Sequence, residues 1–291
     1  MKILSQKYDS GKLIKITAPA TFQNDTEWNS PLESELWTAN NLCQSLGVSG
    51  TDLDWLIVTG SLPRKHQAMM PASIMKKCKV TASFVVELSG SCSAILSSLH
   101  YAMSSFSQCE QGLILCIDSF KTSYQASSEG DLWKDGGGAL LFDRKGTTGM
   151  RMISYASANN PDFLEMAHQL GEGVPSKFTP QFQKEFKDND LLTEISVIEA
   201  ALEAANTPLQ QLAAIVPINR SLKRQQSLKS LLNFSGLTFS SREDFGHRGG
   251  SDLIFNFGMC LKHPNIQRGS RIALVGNGLG YSWGAMILEI A

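Results

Sequence analysis

Residues 86–94 read VELSGSCSA and join an apolar, β-branched run to a helical pattern that continues to Phe106. Small residues crowd the turn on both sides of Cys92, which lets the backbone bend sharply and leaves room beside the sulfur. A cysteine at a helix N-terminus lies at the positive end of the helix dipole, which favours the thiolate. Cys92 is therefore a candidate nucleophile whose neighbouring amides can hold an oxyanion. The alternative is a small buried cysteine at a tight strand–helix junction.

Composition excludes several functional classes. The chain has 291 residues, of which 42% are hydrophobic, and a formal net charge of -1. It is long enough for one large core or two modest domains, and it has no basic field for nucleic acid or an anionic membrane. No apolar run approaches the roughly 20 residues of a membrane span. The N-terminus turns polar at once, unlike a signal peptide. We therefore predict a cytoplasmic protein without nucleic-acid or membrane partners.

The six cysteines show no C-x-x-C spacing, so no metal site is predicted. In a reducing compartment most of them are expected to be buried thiols.

Apolar strand-like runs alternate with helical patterns, which indicates an α/β fold with strands buried on both faces. A helical stripe is predicted at Leu192, Ile195, Ile198 and Leu202. Residues 154–190 are polar with scattered Pro and Gly, and are interpreted as a connecting or capping segment. The seven strand-like runs are 56–59, 84–86, 113–117, 139–142, 214–216, 272–275 and 285–290.

A repeated pattern of predicted elements suggests that the chain has two halves with the same order of helices and strands. Residues 42–58 have the pattern helix, turn, strand, and residues 201–217 repeat it with a slip of one residue.

Five further segments, together with the Cys92 region, resemble the ketoacyl synthase III enzymes of the thiolase superfamily in their order along the chain. The resemblance covers about residues 50–145 and 195–291. It implies an α/β thiolase fold with a duplicated five-layered αβαβα core, divided into halves 1–150 and 151–291. The first half would carry the nucleophile Cys92, and the second would carry the base and a glycine loop. The five segments are DWLIVTGS at 54–61, MMPAS at 69–73, DGGGA at 135–139, IQRG at 266–269 and GNGLGYSWGA at 276–285.

The catalytic partners depart from this family, which uses Cys, His and Asn. The resemblance places the family histidine at Ile218, which cannot donate a hydrogen bond, and the family asparagine at His247. Asn219 lies next to Ile218 and could partly substitute for the histidine after a backbone shift. A Cys92/His247 dyad suffices for acyl transfer but lacks the second donor that decarboxylative condensation needs. Asp252 is interpreted as a helix cap before Leu253, with orientation of His247 as the alternative.

The resemblance also implies substrate contacts. Trp28 matches a tryptophan that stacks on coenzyme A, but the arginine-containing stretch after it is missing. A carrier-protein phosphopantetheine arm is therefore as plausible a donor as acyl-coenzyme A, and no bound cofactor is expected. Met70 matches the loop that lines the partner's acyl pocket, Ile218 would line the site, and amides of Cys92 and Gly280 would hold the oxyanion.

The function predicted from these residues is an acyltransferase or atypical ketoacyl synthase of fatty-acid or polyketide-like metabolism. Its substrate would be an acyl thioester, and its partners an acyl carrier protein and a second subunit, either its own copy or a ketosynthase paralogue. Two alternatives remain open. One is a catalytically degenerate partner subunit, and the other is a thioesterase-like editing enzyme.

Overall fold

The computed structural model describes residues 2–8, 13–17, 31–61, 70–89, 91–106, 109–120, 134–143, 149–163, 180–278 and 281–291. The strands are β1 Ile3–Lys7, β2 Leu13–Thr17, β3 Asp52–Gly60, β4 Thr81–Ser89, β5 Gln111–Asp118, β6 Gly136–Asp143, β7 Met150–Asn159, β8 Leu212–Pro217, β9 Leu237–Thr238, β10 Arg271–Gly278 and β11 Ser282–Ile290. The helices are α1 Pro31–Leu46, α2 Met70–Cys78, α3 Ala94–Ser105, α4 Pro180–Ala204, α5 Leu222–Leu231, α6 Arg242–Phe245 and α7 Ser251–Leu261.

The strand order repeats between the two halves. The first five strands run β4-β3-β5-β6-β2, and the second five run β9-β8-β10-β11-β7. In each set the first three strands are parallel, and the remaining two pairings are antiparallel. The two sheets touch where Ile14 of β2 pairs with Met150 of β7, and β1 also pairs with β7.

Alternating side chains on the strands build three apolar layers. Leu56 of β3 packs in an outer cluster with α1 and α2, whereas Ile57 packs in a central cluster with α3 and α7. The central cluster also includes Val216 of β8, whereas Ile215 belongs to a second outer cluster with α4 and α5. The layers are therefore helix, sheet, helix, sheet, helix, and the predicted duplicated five-layered core is confirmed. The division at residue 150 stays a prediction.

All seven predicted strand-like runs lie in strands, but one expectation about their burial is wrong. None of the nine residues of β4 is buried, and the Phe84 side chain is 48% exposed. Among the described strands β4 lies at the edge of the first sheet, with β3 as its one strand neighbour.

Two expectations for the middle of the chain are also corrected. Ile198 and Leu202 are buried on α4 as predicted, but Leu192 is 56% exposed. Leu192 lies about 120° around the helix from Ile198, outside the face that contacts the sheet. The connecting segment predicted at 154–190 begins inside β7 and ends inside α4. β7 was not predicted as a strand, because the small residues that alternate along its second half lack the β-branched side chains typical of strands.

No helix within the described ranges is long and apolar enough to cross a membrane.

Candidate active site

Cys92 lies in a single 3-10 turn, Ser91–Ser93, between β4 and the first residue of α3. Its side chain is buried, with 3% exposure. The hydroxyl of Ser93 bonds the hydroxyl of Ser282 across 2.6 Å, which ties this turn to the start of β11 in the other half. The position before a buried helix is the one predicted from the small residues around the cysteine.

His247 comes to the sulfur from the second half of the chain. Its Nε2 lies 3.2 Å from Cys92 Sγ, although 155 residues separate the two in sequence. The turn that carries His247 follows α6, where Gly246 adopts a φ of +67° that favours glycine. The structure therefore brings together the two residues that the sequence nominated as nucleophile and base.

Asp252 completes a chain of hydrogen bonds, and its interpretation as a helix cap is wrong. Its Oδ2 bonds His247 Nδ1, and its Oδ1 accepts from the backbone amide of Arg248 at 2.9 Å. Gly250 occupies the N-cap position of α7, with no side-chain cap bond. Because Asp252 lies in the first turn of α7, fully buried, its carboxylate points back at the preceding loop.

Asn219 supports this carboxylate. Its Nδ2 donates to Asp252 Oδ1 at 3.0 Å, to the Gly246 carbonyl at 2.7 Å and to Ser241 Oγ at 3.1 Å. Its Oδ1 accepts from Asn256 Nδ2 at 2.9 Å. The Asn219 side chain is thus bonded to the Asp252 carboxylate and to the loop before His247. These bonds fix the orientation of the carboxylate that contacts the His247 imidazole.

Ile218, at the predicted histidine position, is the first residue after β8. Its side chain is 1% exposed and belongs to the same central cluster as Cys92, and its amide bonds the Val275 carbonyl at 3.0 Å. It offers the site an apolar surface and no hydrogen-bond donor.

Asp118, at the end of β5, anchors the turn between His247 and α7. Its carboxylate accepts from the backbone amides of Ser251 at 2.8 Å and Ser61 at 2.9 Å. Gly249 has a φ of +61°, and a Cβ at this position would collide with the Asp118 carboxylate. Glycine is therefore required where the loop passes over this buried acid.

The electrostatics of the site favour the protonated form of His247. Burial lowers the pKa of His247, but the Cys92 sulfur and the Asp252 carboxylate outweigh burial and raise this pKa to about 10. A raised pKa favours the protonated imidazole, whose Nε2 lies at hydrogen-bond distance from the sulfur. The arrangement places a buried thiol beside an imidazole that can donate a proton.

Comparisons with known proteins agree with this geometry. Residues 202–290 match the family model described as 3-oxoacyl-(acyl-carrier-protein) synthase III C terminal. The β-ketoacyl-(acyl-carrier-protein) synthase III of Clostridium perfringens is 20% identical over 259 residues, covering 84% of this chain and 80% of that protein. Over most of its length the chain is thus similar to ketoacyl synthase III proteins, at 20% identity.

Solved structures show that this ketoacyl synthase III-like protein has the thiolase fold. The crystal structure of 3-oxoacyl-(acyl-carrier-protein) synthase III from Aquifex aeolicus superposes with a TM-score of 0.75 at 17% identity, covering 97% of this chain and 100% of that chain. The acyltransferase ChlB3 superposes with a TM-score of 0.70 at 17% identity, covering 100% and 98%.

Three predicted contacts of this ketoacyl synthase III-like protein remain predictions. Trp28 and Gly280 lie outside the described residues. Met70 begins α2 and is fully buried in the outer cluster with α1, so within this chain its side chain is part of the core. The oxyanion and acyl-pocket roles of these residues are not tested by the structure.

Sequence reasoning missed several residues that support the site. Asp190 and Asn277 are buried at the same end of the second sheet, and the half-buried Arg220 donates hydrogen bonds to both. Arg220 could have been flagged because it follows Asn219 directly, but a lone aspartate inside a long helix such as α4 carries no local signal.

Proposed function

We propose that this protein is an acyltransferase that forms an acyl-thioester on Cys92 and passes the acyl group to a nucleophilic acceptor. The observation that carries the proposal is the 3.2 Å separation of Cys92 Sγ and His247 Nε2, with Nδ1 of the same ring bonded to Asp252. A nucleophile, a base within hydrogen-bond reach and a third group that orients the base form the general arrangement of covalent acyl transfer.

The first half-reaction forms one bond and breaks one bond. The Cys92 thiolate attacks the carbonyl carbon of the donor thioester, and the negative charge moves to the carbonyl oxygen. When the intermediate collapses, the carbon–sulfur bond to the donor breaks and the His247 imidazolium protonates the leaving sulfur. The products are an acyl-cysteine, a free donor thiol and a neutral His247.

In the second half-reaction His247 acts as a base. It takes the proton of the acceptor as the acceptor atom attacks the acyl-cysteine carbonyl, and the Cys92 thiolate leaves. Asp252 holds Nδ1 throughout, which keeps Nε2 directed at the sulfur and stabilises the imidazolium when it re-forms.

The surroundings of the dyad favour transfer over decarboxylative condensation. An enolate formed by decarboxylation needs two donors on one oxygen. Ile218 provides none, and the Asn219 amide group is engaged with Asp252, Gly246 and Ser241. The acceptor is therefore a hydroxyl, amine or thiol whose proton His247 can remove.

The donor is an acyl thioester carried by coenzyme A or by a carrier-protein phosphopantetheine arm. Matching relatives are named as synthases that act with an acyl carrier protein, which supports this substrate class. We propose that a second copy or a ketosynthase paralogue pairs with the edge of β4, which has a strand neighbour on one side among the described residues.

Intact-protein mass spectrometry after incubation with acyl-coenzyme A and acyl-carrier-protein donors tests the proposal. A single acyl adduct is expected on the wild type and on Cys109→Ala, and none on Cys92→Ala. Cys109 is the matched control because it is more exposed than Cys92, so non-specific acylation would label it first. An unchanged adduct on Cys92→Ala, or no adduct on the wild type with any donor, contradicts the proposal.

The fate of the adduct separates the alternatives. Transfer predicts an adduct that persists in water and disappears when an acceptor is added. Rapid loss without an acceptor indicates thioester hydrolysis. No adduct, combined with co-purification with a catalytic paralogue, indicates the non-catalytic partner subunit.

A further inference from the structure

Asp118 is a buried carboxylate that bonds the backbone of both halves of the chain. It is the last residue of β5 in the first half, and it is 1% exposed. Its Oδ1 accepts from the amide of Ser61, the residue that follows β3, at 2.9 Å. Its Oδ2 accepts from the amide of Ser251, the first residue of α7 in the second half, at 2.8 Å. One side chain therefore fixes the path of the backbone in two segments that are distant in sequence.

The two glycines before α7 pass directly over the inner face of β5. A Cβ at Gly249 would collide with the Asp118 carboxylate, and a Cβ at Gly250 would lie 3.0 Å from Cys116 Sγ and 3.4 Å from the Cys92 carbonyl oxygen. Cys116 and Asp118 share this face because they are two positions apart on one strand, and their side chains approach to 3.5 Å. The loop before α7 thus meets β5 and the Cys92 turn at one place.

His247 is also held by the first half of the chain. The amide of Lys134, which precedes β6, donates to the His247 carbonyl at 2.9 Å. The Phe120 ring, just beyond β5, lies 6.2 Å from the imidazole between ring centroids, with 30° between the planes. The Phe120 amide in turn donates to Asp135 Oδ1 at 2.7 Å. The surroundings of this second-half histidine are therefore built from the end of β5 and the start of β6.

We propose that Asp118 is the positioning residue that keeps His247 at hydrogen-bond distance from Cys92. It acts through the backbone: its bond to Ser251, four residues after His247, holds the loop against β5 where the loop meets the Cys92 turn. Loss of that bond would let the loop, and the imidazole with it, move away from the sulfur. The inference deepens the proposed function, because it concerns the Cys92–His247 pair on which that function rests.

Titration of the His247 imidazole by nuclear magnetic resonance tests this role in the wild type, Cys92→Ala, Asp118→Asn and the double variant. The Cys92 sulfur raises the pKa of His247, so the pKa difference made by Cys92→Ala reports how closely the two side chains meet. Asp118→Asn should shrink this difference by at least about half, because asparagine keeps one acceptor oxygen and one backbone amide loses its partner. The charge of Asp118 is missing from both members of the second pair, so its own effect cancels.

Asp54→Asn is the matched control at the opposite end of the same strand. Asp54 Oδ2 accepts from the backbone amides of Glu110 and Gln111, at 2.6 and 2.8 Å, where β5 begins. The substitution therefore disturbs the same kind of bonds away from the site, and the pKa difference should equal that of the wild type. Equal losses in Asp54→Asn and Asp118→Asn would assign Asp118 a general structural role and overturn the proposal.

Gly250→Ala gives a second test that leaves the carboxylate in place, and it decides the matter if Asp118→Asn does not fold. Gly250 has a φ of -66°, which alanine adopts without strain. Its new methyl group would crowd Cys116 and push the loop away from β5, so the pKa difference at His247 should again shrink. An unchanged difference in the folded variants overturns the proposal. A wild type without any difference does so too, because Asp118 would then have no contact to maintain.

The titration uses no acyl donor, so it fails separately from the acyl-adduct experiment. A wild type that forms no acyl adduct would refute the proposed function, and the pKa differences would still decide the role of Asp118.

Discussion

The turns before the two central helices occupy equivalent places in the duplicated fold, but they carry different chemistry. In the first half, β4 leads through the Cys92 turn into α3 and then β5. In the second half, β9 leads through the His247 turn into α7 and then β10. The first turn of α3 is apolar, with Ala94 and Ile95 buried, whereas that of α7 contains the buried polar residues Ser251 and Asp252.

The two halves of the duplicated fold therefore contribute different side chains to the site. The first copy places Cys92, the proposed nucleophile, before the N-terminus of an apolar helix, a position that favours the reactivity of a cysteine. The second copy uses its helix N-terminus to bury a carboxylate, which orients the imidazole of the preceding turn. Substitutions of Cys92, His247 and Asp252 should therefore change acyl-adduct formation and His247 protonation by different amounts.

Removing the base is expected to give the largest effect after loss of the nucleophile itself. His247→Asn should slow acyl-adduct formation by about 10³-fold, because the variant loses both the cation beside the sulfur and the proton donor for the leaving group. The rate is measured by quenched-flow mass spectrometry. His263→Asn, just beyond the far end of α7, is the control, and similar losses in both variants would argue against a special role for His247.

Removing the orienting carboxylate should cost less. Asp252→Asn retains the size of the side chain but disfavours the required imidazole tautomer and the imidazolium. Acyl-adduct formation is expected to slow by about 10²-fold, the lower end of the range for general acid–base catalysis. The same rate measurement applies, with the exposed Asp188→Asn on α4 as the matched control. If Asp252→Asn reacts at the wild-type rate, Asp252 is a structural anchor of the loop and the triad is a dyad.

The smallest expected effect is on the protonation of His247. The thiolate raises the pKa of His247, so Cys92→Ala should lower it from about 10 by at least about one unit. Titration of the imidazole by nuclear magnetic resonance measures this shift. In the wild type His247 should still be protonated at pH 8. In Cys92→Ala it should lose its proton at a lower pH than it does in the wild type. Equal pKa values in both proteins would show that Asp252 alone sets the charge.

The sequence predicted the core strands well and the site in part. Continuous apolar runs marked the interior strands because these are buried on both faces, but the same signal failed for β4, whose exposure follows from its edge position. Cys92 was predicted from its small neighbours and the family resemblance, and His247 from the position of the family asparagine. Asp252 was misinterpreted because an aspartate in the first turn of a helix is commonly a local cap, and nothing local shows that its acceptor atoms face an imidazole.

What the sequence by itself determined was local: the alternation of strands and helices, the two similar halves and the residue types in each turn. These follow from side-chain periodicity and turn chemistry, which act over a few residues. The tertiary structure decided which turns meet. The approach of Cys92 to His247 across 155 residues, and that of Arg220 to Asp190 across 30, depends on how two sheets pack against shared helices. No local pattern records that packing, because it is set by the fit of distant surfaces.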